Sequence, residues 1–309
     1  MPSPLPPPAR SPTPTRAAVA TPSPSPTAIP PTPIPSPAPV TQDPALDQAV
    51  MGIFQGLPSG ASAVFWNLTG PGKAEMNATA QVPSASTIKL PLMIEVLRQA
   101  EQGRISLTQQ HTITDDMVVG GTGILQGQVG RTLTTQQVLE TTITYSDNVG
   151  ANLLLDVAGM ENVNSTMQQL GFPSTRFARR LMDVEAQRRG LENMTSARDL
   201  AEMLRRIYLG QLISPSTSAE MMRILRLRGQ QTGPALDSLG TRLSPRPDIA
   251  HISGNLVGVH NDAGIIQSGG HAYLLSIFLH DQRDDSAAQE AIGDASARIF
   301  SAVMGSPTP

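Results

Sequence analysis

The chain has 309 residues, a formal net charge of −3, 3% aromatic residues and no cysteine. The missing thiols exclude disulfides and thiolate metal sites. A weak negative charge, few aromatics and no basic stripe argue against a nucleic-acid partner, and no apolar run reaches the roughly eighteen residues of a transmembrane helix.

Sixteen of the first forty residues are proline, interleaved with Ser, Thr and Ala. Such a stretch has too little apolar surface to offset its ordering entropy, so residues 1–43 are expected to be a disordered tail or stalk. The opening MPSPLPPPAR lacks the continuous apolar segment of a secretory signal. A Pro/Ser/Thr stalk is a common spacer for an exported or tethered protein, so an extracytoplasmic location is expected, with the true start upstream or a signal missing. A cytoplasmic protein with a disordered tail is the alternative. Folding is expected over 44–304, roughly 260 residues and enough for one substantial core, with 305–309 as a short C-terminal tail.

PALDQAVMGIFQ (44–55) places its apolar residues at helical spacing. ASAVFWNL (61–68) reads as a strand, TGPGK as its turn and EMNATA (75–80) as the returning strand. A helix follows over 84–102, with Ser84 as N-cap and Gly103 as its stop. Helical patterns continue at 134–145, 148–159, 161–171, 196–210 and 214–227. Strands return at 247–255, 261–269 and 271–281, and an amphipathic helix over 284–303 closes the chain. Strands near both ends and helices between them give an α+β fold: an antiparallel sheet from the terminal strands with flanking helices, plus a helical lobe. The cleft between them is the natural place for a site.

The stretch SASTIKL (84–90) holds Lys89, one of only two lysines in the chain. Ser86 and Lys89 stand three apart and share one helix face. A serine hydroxyl is a poor nucleophile until a base takes its proton. Desolvation in the apolar run IKLPLMIEVL lowers the lysine's pKa and frees its amine for that task, which arginine cannot perform. First-turn N–H groups favour negative charge developing nearby. Alone, Ser-x-x-Lys recurs by chance.

Sixty residues on, Ser146-Asp147-Asn148 joins two helical patterns, with a second hydroxyl able to relay a proton and an amide able to hold a substrate carbonyl. An ordinary capped helix junction is the plain alternative. HISGN (251–255) lies on a predicted strand. The Asn255 N–H can serve there as an oxyanion donor and Ser253 can meet a substrate carboxylate; a simple strand end is the alternative.

Three such motifs in this order resemble the class A β-lactamase-like serine hydrolases, of the β-lactamase and penicillin-binding protein superfamily. The resemblance spans about 45–303 and extends to GGTGILQG, SDNVGANLLL and GNLVGVHNDAGII. It implies Ser86 as acylated nucleophile, Lys89 as base or proton shuttle and Ser146 as relay to the β-lactam nitrogen. It further implies Asn148 on the acylamide side chain, Ser253 of the Ser253-Gly254-Asn255 run on the carboxylate, and the N–H groups of Ser86 and Asn255 as oxyanion hole. No cofactor or metal is implied, the partner is a small β-lactam or peptidoglycan-like amide, and a monomer is assumed.

Two departures stand out. Isoleucine at 252 replaces the family's lysine, removing a charge-assisted contact; Arg242 or Arg246 folding back are the replacements the sequence offers. The family's deacylating glutamate falls at Leu181 or Met182, and the Glu-x-x-Leu-Asn context is absent. Asp183 and Glu185 are the nearby carboxylates that can take over, unless they pair with Arg179, Arg180, Arg188 or Arg189. Three outcomes follow: β-lactam hydrolysis, a penicillin-binding relative with slow deacylation, or a non-catalytic surface sensor with an eroded site. Gly120-Gly121-Thr122-Gly123 reads as a site wall or turn, not a phosphate cradle. His111, His260, His271 and His280 lack metal-ligand spacing. His260 and Asp262 read as structural.

Overall fold

In a computed structural model, the structure describes residues 42–231 and 238–305. The Pro-rich tail lies outside the described residues except for positions 42 and 43, as does the C-terminal tail beyond Gly305.

Helix α1 (Pro44–Gln55) starts with Asp43, whose carboxylate accepts from the N–H groups of Ala45 and Leu46, and with proline at its first position. Strands β1 (Ala61–Asn67) and β2 (Lys73–Met76) form a hairpin. The return strand ends earlier than the sequence suggests, because Asn77 turns to φ +48. Three long strands near the C-terminus, β7 (Asp248–Leu256), β8 (Val259–Ser268) and β9 (His271–Leu279), complete an antiparallel sheet of order β2-β1-β9-β8-β7. The first strand of the chain therefore pairs with its last, Ala61 opposite Leu279 and Asn67 opposite Tyr273.

Side-chain alternation divides the sheet into two apolar faces. Ala63, Phe65, Tyr273, Leu275 and Ile277 face α1 and the C-terminal helix α9 (Asp285–Gly305). Val64, Trp66, Ile252, Leu274 and Phe278 face the helical lobe. That lobe holds α2 (Lys89–Glu101), α3 (Thr135–Thr144), α4 (Asn148–Ala158), α5 (Met160–Gln169), α6 (Val184–Arg188), α7 (Ala197–Tyr208) and α8 (Pro215–Gly229). Two short pairs, β3 (Val82–Pro83) with β6 (Met194–Thr195) and β4 (Gln110–Thr112) with β5 (Thr132–Thr134), tie its loops down. The α+β layout read from the sequence is the one observed. None of the described helices is long and apolar enough to cross a membrane.

The helix expected over 84–102 differs in its first turn. Residues Ala85–Ile88 form a 3₁₀ turn, and α2 begins only at Lys89. Ser84 makes no side-chain cap; its hydroxyl instead donates to the Asn193 carbonyl at 3.0 Å. The tighter turn changes which groups face the cleft. Helix α8 runs two residues past its expected end at 227, to Gly229.

Candidate active site

Ser86 sits on the 3₁₀ turn, just after Ala85 at φ +47, a costly conformation for a residue with a β-carbon. Strand β7 crosses directly against it. A β-carbon on Gly254 would lie 2.6 Å from the Ser86 nitrogen and 2.7 Å from that of Thr87, so only glycine lets the strand come this close.

Lys89 is fully buried. Its Nζ lies 2.9 Å from Ser86 Oγ, 3.1 Å from Ser146 Oγ, 3.0 Å from the Ser146 carbonyl and 2.9 Å from Asn148 Oδ1. The two carbonyl oxygens can only accept, and a neutral amine has two N–H donors for them. The remaining lone pair then faces the hydroxyls. Burial, reinforced by the Arg228 charge and opposed by Asp147, lowers the Lys89 pKa to about 7.

Ser146 and Asn148 are placed by the loop 120–125. Ser146 takes φ +53 at the junction of α3 and α4. Buried Asp147 caps α4 through the Gly150 N–H and accepts from the N–H groups of Ile124 and Leu125 at 2.6 and 2.8 Å. A β-carbon at Gly123 would meet that carboxylate at 2.3 Å, with φ at +125. Thr122 Oγ1 donates to the Ser146 carbonyl and Asn148 Nδ2 to the Gly120 carbonyl. The glycine-rich segment is thus a wall of the cleft.

Across the cleft Ser253 accepts from Arg228 Nη2 at 2.6 Å. Asn255 Oδ1 lies 2.9 Å from His260 Nδ1, whose other ring nitrogen is 2.9 Å from Asp285. His260 therefore steadies the β7–β8 hairpin, while Asp262 pairs with buried His251 on the same two strands at 2.8 Å.

These residues surround a cleft of about 370 Å³ lined by Ser86, Ser146, Asn148, Ser253, Gly254 and Asn255, together with Arg228. Arg228 was not singled out in the sequence. It lies one residue past the apparent end of its helix and 25 residues before the serine it touches. The arginines the sequence offered are elsewhere: Arg242 pairs with Glu290 and Asp294, and Arg246 donates to the Gly229 and Gly240 carbonyls.

The two candidate deacylation bases do not face the cleft. The Asp183 carboxylate accepts from the Ala186 N–H as the cap of α6, and Glu185, largely exposed, faces Arg188. Leu181 and Met182 occupy the cleft wall instead. The Asn152 amide clamps Leu181 through both its N–H and its carbonyl. The carboxylate that lines the cleft among the described residues is Glu192, and the Arg179 guanidinium holds it at 2.9 Å. Among the described residues no group of three or more His, Asp or Glu side chains is placed to hold a metal.

A five-stranded antiparallel sheet flanked by helices is the fold of the class A β-lactamases. The chain belongs to the β-lactamase enzyme family, whose family model matches residues 45–303. It is 26% identical to the extended-spectrum β-lactamase PER-1 of Pseudomonas aeruginosa over 263 residues, 81% of this chain and 84% of that one. A β-lactamase of Rhodobacter capsulatus is 27% identical over 231 residues, 71% of this chain and 74% of its own. Among solved structures, PBP-A superposes with a TM-score of 0.75 at 26% identity, covering 86% of this chain and 98% of that one. A leucine-to-glutamate variant of PBP-A, in acyl-enzyme complex with penicillin G, gives 0.74 at 26% identity, covering 84% and 96%.

Proposed function

We propose that the chain is a serine hydrolase of the class A type that opens β-lactams by acylating Ser86. The observation that carries this reading is the buried Lys89 amine within hydrogen-bond reach of both Ser86 and Ser146. With its pKa near 7, a large fraction of Lys89 is neutral at physiological pH. Lys89 takes the Ser86 proton as Oγ attacks the lactam carbonyl; a base so placed is worth about 10²–10⁴ in rate. Negative charge on the carbonyl oxygen meets the N–H groups of Ser86 and Asn255, each such donor being worth about 10²–10³. The C–N bond breaks, and the proton passes from Lys89 through Ser146 to the ring nitrogen. An ester on Ser86 remains.

Release of that ester needs an activated water. The Leu181 position offers none, and Glu192, the cleft's carboxylate among the described residues, is engaged by Arg179. This supports slow deacylation, as in a penicillin-binding protein, over rapid turnover. The eroded-sensor reading finds no support in a site whose Lys89 touches both hydroxyls.

Incubation with a chromogenic cephalosporin, followed by intact mass over time, tests the reading. A covalent adduct is expected on Ser86 that outlasts the rise in absorbance, and none in Ser86→Ala. An adduct or hydrolysis surviving in Ser86→Ala would remove the nucleophile assignment.

A further inference from the structure

The β7–β8 hairpin that carries Asn255 closes with a two-residue turn, Val257-Gly258, so that Leu256 stands opposite Val259 and Asn255 opposite His260. In such a hairpin the pair beside the turn shares the backbone hydrogen bonds and the next pair does not. The Asn255 N–H therefore points away from β8, off the outer edge of the sheet. Where that donor sits depends on how the hairpin tip is held, and it is held from the start of α9. The Gln282 N–H donates to the Gly258 carbonyl at 3.1 Å, and the Gly258 N–H donates to Asp285 Oδ1 at 2.9 Å. Between them lies His260, 2% exposed, with Nδ1 2.9 Å from Asn255 Oδ1 and Nε2 2.9 Å from the same Asp285 oxygen. An amide oxygen and a carboxylate can only accept, so each ring nitrogen must carry a hydrogen, which is the charged imidazolium. A buried charge is costly unless it is paired, and Asp285 pairs it. The His260 bond first, and the Gly258 N–H second, hold the Asp285 carboxyl below its ordinary value. Gln289 of α9, 3.4 Å from Nδ1, and Leu279, opposite His260 on β9, add no charge.

We propose that His260, as an imidazolium between Asn255 and Asp285, is a positioning residue that fixes the Asn255 N–H for the oxyanion formed during acylation. It acts through Asn255 and touches no reacting atom. The inference rests on the acylation reading above and adds the residue that holds the second oxyanion donor in place.

Two measurements test it. In spectra of protein labelled with ¹⁵N-histidine, the His260 ring is identified by its displacement in Asp285→Asn. Both of its nitrogens should carry a proton at pH 7, and a bare ring nitrogen overturns the inference without recourse to activity. The second measurement compares acylation of Ser86 by a cephalosporin and by its thiono analogue, in which sulfur, a weaker acceptor, replaces the lactam oxygen. A fixed oxyanion donor favours oxygen, and the ratio cancels any change in folding or in the base that affects both compounds. His260→Phe should cut the oxo-to-thiono ratio at least ~10-fold, part of the roughly 10²–10³ that one such donor contributes. Asp285→Asn can still accept from Gly258 and should cut the ratio less. If His260→Phe does not melt cooperatively, Asp285→Asn and the ring spectra decide. Absence of a Ser86 adduct from both compounds overturns the acylation reading and this inference with it, whereas adducts whose ratio ignores these substitutions overturn this inference alone.

Discussion

At the scale of single residues, the proposed acylation depends on which form Lys89 takes. Its folded pKa of about 7 lies far below its ordinary 10.5 because burial penalises the charged amine, with Arg228 adding repulsion. In the proposed mechanism the neutral form is the base, so acylation should be lost as pH falls and the amine gains a proton. The rate at limiting substrate should rise through about pH 7 and level off above it, and stopped-flow acylation between pH 5 and 9 measures this. Arg228→Gln removes a charge that pushes the Lys89 pKa down, so the same limb should move to higher pH. The Ser86–Lys89 pairing was legible because both residues lie within one helical turn and the lysine is surrounded by apolar neighbours. Arg228 was not legible: its partner Ser253 lies 25 residues away, and only the packing of α8 against β7 brings them together.

At the scale of elements, the proposed slow deacylation turns on the stretch from Arg176 to Asn193, which supplies Leu181, Met182 and Glu192 to the cleft wall. The Asn193 amide accepts from the N–H groups of Ala178 and Arg179, and Arg179 and Glu192 pair across the neck of the loop. With Asn152 gripping Leu181, the cleft wall is held at the position where the sequence comparison expects the family's deacylating glutamate. Leu181→Glu is expected to shorten the life of the Ser86 adduct by about 10²-fold or more, the usual contribution of a positioned general base. The adduct mass after rapid removal of excess β-lactam reads this directly, and an unchanged lifetime would show that the loop does not aim the new carboxylate at the ester. The sequence showed that a glutamate was missing here. It did not show that Asp183 would be used as a helix cap, since Asp183 and Glu185 differ from a catalytic base only in where the backbone points them.

At the scale of the whole molecule, apolar runs and helical period were enough to place nearly every long element, because strands buried on both faces and amphipathic helices leave distinct patterns. The 3₁₀ turn at Ala85–Ile88 and the two-residue strands escaped, being too short to carry a period. Helix α9 buries Ile292, Ile299 and Val303 against α1 and the sheet. Each is worth about 1.5–3 kcal/mol, so removing residues 285–305 forfeits an amount on the order of a domain's entire stability. The truncated chain should show no cooperative melt by circular dichroism, whereas a chain trimmed to 42–305 should melt cooperatively and still acylate. The pairing of Ala61 with Leu279 has a temporal side as well. A ribosome must deliver the chain as far as β9 before the central strands can meet, and loop closure over so long a separation is slow. A chain made only as far as α8 therefore carries Ser86 and Lys89 but lacks β7, whose Ser253, Gly254 and Asn255 close the cleft, so the cleft is completed only after the last three strands have been added.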